Sequence, residues 1–162
     1  MGDDRDLLRR PPAALGAAVR AKTLSARELV GAALAAIERD DPALQSFVAV
    51  DGDRALAEAS AIDERVAAGS EVGALAGVPL GVKDNEHAAG FVTTHGSTAH
   101  RGDPPAAGDS IVVTRLKAAG CVVVGKTNLP EHAWKGDSVN AWGQGTGNPW
   151  SLGRSAGGSS AR

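Results

Sequence analysis

Apolar positions recur at helical spacing through the first seventy residues and then gather into short continuous runs. Ser25 and Glu28 stand at capping-box spacing, and Leu29, Val30, Ala33, Leu34 and Ile37 form one apolar stripe behind them. That pattern predicts a helix from Ser25 to about Asp40 that packs on a core. A second helix is predicted after Asp51, through an Ala-rich stretch to about Ala68, ending at Gly69. An earlier short helix starts near Pro11 or Pro12, residues suited to a first turn. Residues 1–70 are therefore read as mostly helical. Ala76 to Val82 then reads as a short apolar strand, interrupted by Gly77, Pro79 and Gly81, that runs into the polar Lys83-Asp84-Asn85. Asp109 can cap a helix from Ser110 to Ala119, with Ile111, Val112, Leu116 and Ala119 on one side and Gly120 at its end. The run from Cys121 to Val124 follows as a buried strand. Helices alternating with near-continuous apolar strands predict an α/β architecture with helices covering a sheet. From Gly136 onward the chain reads mainly as loop, with Gly143, Gly145, Gly147, Pro149 and Gly153 as breakers.

Length and charge narrow the picture. At 162 residues with 43% apolar content the chain suits one domain with one core. Its 17 basic and 19 acidic residues leave a net charge of −2 and no field to gather nucleic acid or an anionic membrane. The charged start Met1-Gly2-Asp3-Asp4-Arg5-Asp6 is unlike a secretory signal, and no segment approaches a membrane span. Cys121 stands alone within its apolar run, where a buried thiol is expected. Together these features point to a cytoplasmic protein.

Three patterns invite functional readings that the sequence does not support. Gly120-Cys121-Val122-Val123-Val124-Gly125-Lys126-Thr127 fits the phosphate-loop string G-x-x-x-x-G-K-[ST]. A phosphate loop, however, lies between a strand and a helix, whereas here the first glycine closes a helix and the middle residues are strand. The histidines His87, His95, His100 and His132 lack metal-ligand spacing, so no metal is expected and they read as ordinary loop or surface residues. Trp134, Trp142 and Trp150 recur every eight residues without interleaved Arg or Lys, and packing of a long loop is expected of them rather than base stacking.

Two segments carry the chemistry: Gly77-Val78-Pro79-Leu80-Gly81-Val82-Lys83-Asp84-Asn85, and Asn148-Pro149-Trp150-Ser151-Leu152-Gly153-Arg154-Ser155-Ala156-Gly157-Gly158-Ser159-Ser160. Between them lie Thr93-Thr94-His95-Gly96-Ser97, a helix ending in Ala118-Ala119-Gly120, and Val124-Gly125-Lys126-Thr127-Asn128-Leu129-Pro130-Glu131. These pieces, in this order, resemble the amidase signature family from about Ser25 to Ser160. The resemblance implies the N-terminal portion of that fold, a mixed β-sheet core covered by helices and incomplete in this chain. It divides residues 1–162 into a mostly helical part, 1–70, and the start of the α/β core, 71–162.

The same resemblance implies a Ser, cis-Ser, Lys triad that hydrolyses a carboxylic amide through an acyl-serine, with no cofactor and a small-molecule amide as substrate. Lys83 matches the base and Ser159 the bridging serine. A lysine accepts a proton near neutral pH only where burial disfavours its ammonium form, and the end of a buried strand offers that setting. A cis peptide before a non-proline residue costs about 3 kcal/mol, so the surrounding chain must enforce it. Gly157 and Gly158 permit the unusual path, and Ser160 completes the serine pair. Without the resemblance, Lys83 reads as a solvated lysine capping a strand, as most lysines are, and residues 157–160 as a flexible Gly-Ser tail.

In the family a Gly-Gly-Ser loop with the nucleophile and its oxyanion amides follows the serine pair, whereas here Ala161-Arg162 follows. A truncated, inactive chain is the expectation, with the Ala76–Val82 and Cys121–Val124 strands left exposed for want of sheet partners. Thr127 to Gly136 looks more like stand-alone amidases than the glutamine-hydrolysing component of a tRNA-dependent amidotransferase. That component is the alternative within the family. A non-catalytic fragment, or half of a split enzyme completed by a second chain, is the alternative outside it; a homodimer is equally open.

Overall fold

A computed structural model describes residues 4–143 and 145–158. Five α-helices and five strands occur among them: α1 (Asp4–Leu8), α2 (Pro12–Arg20), α3 (Ala26–Leu44), β1 (Phe47–Val50), α4 (Gly52–Ala67), β2 (Pro79–Lys83), α5 (Ile111–Ala118), β3 (Val122–Thr127), β4 (Gly147–Asn148) and β5 (Ser151–Ser155). The α/β class is as the sequence predicts. The chain forms two compact units, interleaved in sequence. One takes residues up to 39, 51–80 and 114–124; the other takes 40–50, 81–113 and those from 125 onward.

The first unit is built on small residues that let helices approach. The capping box forms: the Ser25 N–H donates to Glu28 Oε2 at 3.0 Å and the Glu28 N–H to Ser25 Oγ at 3.0 Å. Asp63 on α4 adds a second cap, accepting from the Ala26 and Arg27 N–H groups at 2.7 and 3.0 Å. Its carboxylate thus sits on the positive end of the α3 dipole. Leu29, Val30, Ala55 and Ala59 are fully buried. Asp51 caps α4 by accepting from the Arg54 N–H, and Gly69 beyond its end is left-handed at φ 72°. Both main helices therefore start where the polar caps stand. α3 continues past the expected Asp40 and through Pro42 to Leu44.

Other features also differ from expectation. The strand expected from Ala76 starts at Pro79, because Gly77 takes a left-handed turn (φ 73°) with its α-carbon pressed against Ala26, where a Cβ would lie 2.5 Å from the Ala26 Cβ. On α5, Ile111 and Val112 of the predicted stripe are exposed, whereas Leu116 and Ala119 are half-buried and Val113, outside the stripe, is buried, so the core-facing side is only partly the one predicted. The apolar residues of this two-turn helix lie on more than one side and do not fix a face, and the Asp109 carboxylate accepts from the Ala89 N–H at 2.7 Å. The expected loop after Gly136 contains the hairpin β4–β5, paired antiparallel around Pro149-Trp150.

The three-stranded sheet has the order β1-β3-β2. β1, which the periodicity does not reveal, pairs antiparallel with β3, placing Ala49 opposite Lys126 and Val50 opposite Gly125. Val122, Val123 and Val124 are buried, as is Val82; β3 is paired on both sides, against expectation, while β2 stands at the edge of the sheet. β3 finds in β1 a partner from upstream in the chain. Cys121 is buried and unbridged, and burial pushes its thiol pKa up, which makes it a poor nucleophile. Among the described residues no helix is long and apolar enough to cross a membrane.

Candidate active site

Lys83 is the last residue of β2, half-buried, and all the groups that fix the next residue lie in the second unit. Asp84 is held through both its backbone groups: its N–H donates to the Thr127 carbonyl at 3.0 Å and its carbonyl accepts from the His95 N–H at 3.0 Å. A turn follows, closed by the Glu86 N–H on the Lys83 carbonyl at 2.9 Å. The Asp84 carboxylate is fully buried and faces Lys126 Nζ at 2.9 Å, whose side chain is equally buried. It also accepts from the Thr94 N–H at 3.2 Å and from the Thr94 hydroxyl.

Lys126 has three protons to donate and three acceptors within reach: Asp84, Thr93 Oγ1 at 3.0 Å and the Val92 carbonyl at 3.4 Å. A buried ammonium survives only when paired and hydrogen-bonded in this way. The phosphate-loop string is thereby accounted for. Its Gly125-Lys126-Thr127 continues strand β3, which runs to Thr127, beyond the expected end at Val124. Gly120 closes α5 at φ 102°, where a Cβ would lie 2.8 Å from the Ala76 backbone, and Gly125 lets the Ala49 carbonyl of β1 come within 2.3 Å of where its Cβ would be.

A second buried polar group organises the long loop. Asn128 Nδ2 donates to the Ser138 carbonyl and to Thr146 Oγ1, each at 3.2 Å, while Asn128 Oδ1 accepts from the Leu129 N–H at 2.9 Å and Asn140 Nδ2 at 2.7 Å. Thr146 in turn donates to the Gln45 carbonyl at 2.8 Å. The tryptophans do not pack this loop as expected: Trp134 and Trp150 are 74% and 92% exposed, and Trp142 carries the Arg101 guanidinium over its ring at 4.7 Å. Polar ties, rather than aromatic burial, hold the segment.

The loop leads to Gly157 and Gly158. Gly157 is left-handed at φ 90°, with its N–H on Ser155 Oγ at 3.0 Å. A Cβ on Gly158 would lie 2.2 Å from the Asp137 carbonyl oxygen. Each position therefore requires glycine, one for its backbone angle and the other for backbone contact. Ser159 and Ser160 lie outside the described residues. Asp84, Thr93, Thr94 and Lys126 do not stand out as a group in the sequence; the only available signal is the juxtaposition of Lys83 with Asp84 and the unexplained Gly-Lys-Thr.

Three of the four histidines, expected to be ordinary loop residues, converge. The His95 ring centroid lies 5.1 Å from that of His100 and 5.8 Å from that of His132, and the last two are 6.1 Å apart. His95 and His132 are both left-handed (φ 52° and 49°), joined by the His132 N–H on the His95 carbonyl at 2.7 Å. Among the described residues no group of three or more His, Cys, Asp or Glu is arranged to hold a metal ion. Burial lowers the His95 pKa, and neighbouring His100 and His132 lower it further; Asp84 opposes them and His87 adds slightly to the lowering. The native state thus favours neutral His95, while the unfolded chain binds a proton below about pH 6.5. His95 contributes stability above that pH, and the contribution is lost as pH falls through the depressed native value. The urea midpoint should fall from pH 7 to pH 5, and His95→Asn, which tolerates the left-handed backbone, should make that fall shallower. An equally steep fall in the variant would exclude His95 as its source.

The Amidase family model matches residues 28–161, taking in Lys83, Gly157 and Gly158. The chain belongs to the amidase family. A glutamyl-tRNA(Gln) amidotransferase subunit from Acaryochloris marina is 47% identical over 139 residues, covering 86% of this chain and 29% of that protein. A bacterial aryl acylamidase of the amidase signature family superposes with a TM-score of 0.88 at 33% identity, covering 94% of this chain and 32% of that one. The peptide amidase of Stenotrophomonas maltophilia gives 0.84 at 38% identity, over 94% and 32%. The chain thus spans about a third of the length of the relatives it matches. The curated relatives from Acaryochloris marina and Acidothermus cellulolyticus carry the amidotransferase name, while the structural neighbours named above are stand-alone amidases, so the leaning drawn from Thr127 to Gly136 is neither upheld nor overturned.

Proposed function

We propose that residues 1–162 carry the base and the bridging serine of an amidase that cleaves a carboxylic amide through an acyl-serine intermediate. Lys83 is the base and Ser159 the bridging residue, reached over the backbone path that Gly157 and Gly158 permit. The observation that carries this reading is the immobilised end of β2, where both backbone groups and the carboxylate of Asp84 are bonded, so that the preceding lysine is presented from a rigid element. Lys83 would take the proton of Ser159, which in turn relays that of the attacking hydroxyl. No residue from 1 to 162 is assigned as the attacking serine or as the oxyanion donors, so these residues alone are expected to give no turnover.

The substrate divides the reading in two. An aliphatic or aryl amide fits the structural neighbours' names, while the amidotransferase relatives favour ammonia release from glutamine as one component of an assembly. Expression of the gene with the whole region downstream, then assay on glutamine and on an aryl amide, separates the two. Lys83→Ala and Ser159→Ala should each lower kcat by about 1,000-fold or more with little change in KM. Full activity in Lys83→Ala would refute the assignment, whereas aryl amide turnover by the 162-residue chain that Lys83→Ala abolishes would refute the expectation of no turnover, since that would place the nucleophile within these residues.

A further inference from the structure

We propose that Lys126 is a positioning residue for Lys83, cancelling the charge of Asp84 so that Lys83 is presented as a reactive amine rather than drawn into pairing with its neighbour's carboxylate. The inference rests on the reading of Lys83 as base. It begins from an imbalance in the sequence: a lysine that must give up its proton is followed directly by an aspartate, whose negative charge favours the protonated form. In the structure that carboxylate is fully enclosed, where its field is least screened by water, and it faces a second, equally enclosed lysine at 2.9 Å. The carboxylate is further occupied by the Thr94 N–H and hydroxyl, and Lys126 is fixed in turn by Thr93 and the Val92 carbonyl. Lys83 ends the strand half-buried, while Asp84 lies in the turn that follows with its carboxylate enclosed against Lys126, so the neighbouring charge is already engaged. The lysine of the phosphate-loop string thereby acquires a role: a fixed counter-charge to the carboxylate that adjoins the base.

Charge compensation and mere scaffolding predict different signs. The test is the rate of acylation of each lysine by acetic anhydride at pH 8, read by peptide mass spectrometry on the intact chain, with Lys135 as internal reference. Lys126→Met leaves the Asp84 charge unopposed and should slow Lys83 acylation at least fivefold relative to Lys135. Asp84→Asn leaves the Lys126 charge unopposed and should speed it at least threefold. The double variant Asp84→Asn/Lys126→Met should return within twofold of the parent, as should Lys126→Arg. If the pair merely holds the fold, both single variants loosen the site and Lys83 labels faster in both, which overturns the proposal; unchanged rates overturn it equally. Should Lys126→Met fail to fold, Asp84→Asn and the double variant decide it: faster labelling restored by the second change supports it, and equal rates in the two refute it. Since no turnover is measured, failure here leaves the assignment of Lys83 as base to the activity assay.

Discussion

Lys126→Met is expected to lower the unfolding free energy by about 3–5 kcal/mol, the cost of stranding a buried carboxylate without its partner. Asp84 lies in a fully enclosed position, and Thr94 cannot supply the missing charge. The double variant Asp84→Asn/Lys126→Met removes both charges and replaces them by groups of similar volume, so most of that loss should be recovered. Urea unfolding of the parent, each single variant and the double variant completes a thermodynamic cycle, and a coupling energy near zero would show that the pair is not the source of the loss. Thr93→Val should cost less, about 1–2 kcal/mol, because it removes one neutral partner from Lys126 while leaving the ion pair in place.

Gly125→Ala is expected to cost about 2–3 kcal/mol by overpacking the junction of β1 with β3. The new Cβ would lie 2.3 Å from the Ala49 carbonyl oxygen and 3.0 Å from the Phe47 ring, and the nearer atom is backbone on a paired strand, with no side chain to swing aside. Gly31→Ala supplies the opposite sign. That glycine lies inside α3 with nothing within 4 Å of its notional Cβ, so alanine should raise stability by about 0.5–1 kcal/mol. Paired urea midpoints of the two variants check the contrast. A neutral Gly125→Ala would mean that β1 is free to move away from β3.

What can be read in advance is whatever is written locally. The capping box at Ser25, the Asp51 cap and the Gly69 stop are settled within a turn or two of chain, and each forms where the residues stand. The elements that escape such a reading are those whose environment is supplied from far away. Val113 is buried and Ile111 is not, because neighbours distant in sequence choose the face of a two-turn helix. β1 is the four-residue apolar run Phe47-Val48-Ala49-Val50, too short to be told from the helical pattern on either side, and its pairing with β3 is what makes it a strand. The hairpin β4–β5 has its longer strand exposed throughout and offers no alternation to find.

For the candidate site the division is sharper. The sequence by itself determined the order Lys83, Gly157, Gly158, Ser159 and the resemblance that gives those residues meaning, together with the α/β alternation that puts Lys83 at a strand end. Only the tertiary structure decided what surrounds them: that Lys126 is a buried counter-charge to Asp84, that His95, His100 and His132 meet, and that the tryptophans stay outside. The physical reason is that a residue's type fixes its charge and its hydrogen-bonding capacity, whereas its partner and its contact with solvent depend on which distant segment the folded chain brings against it.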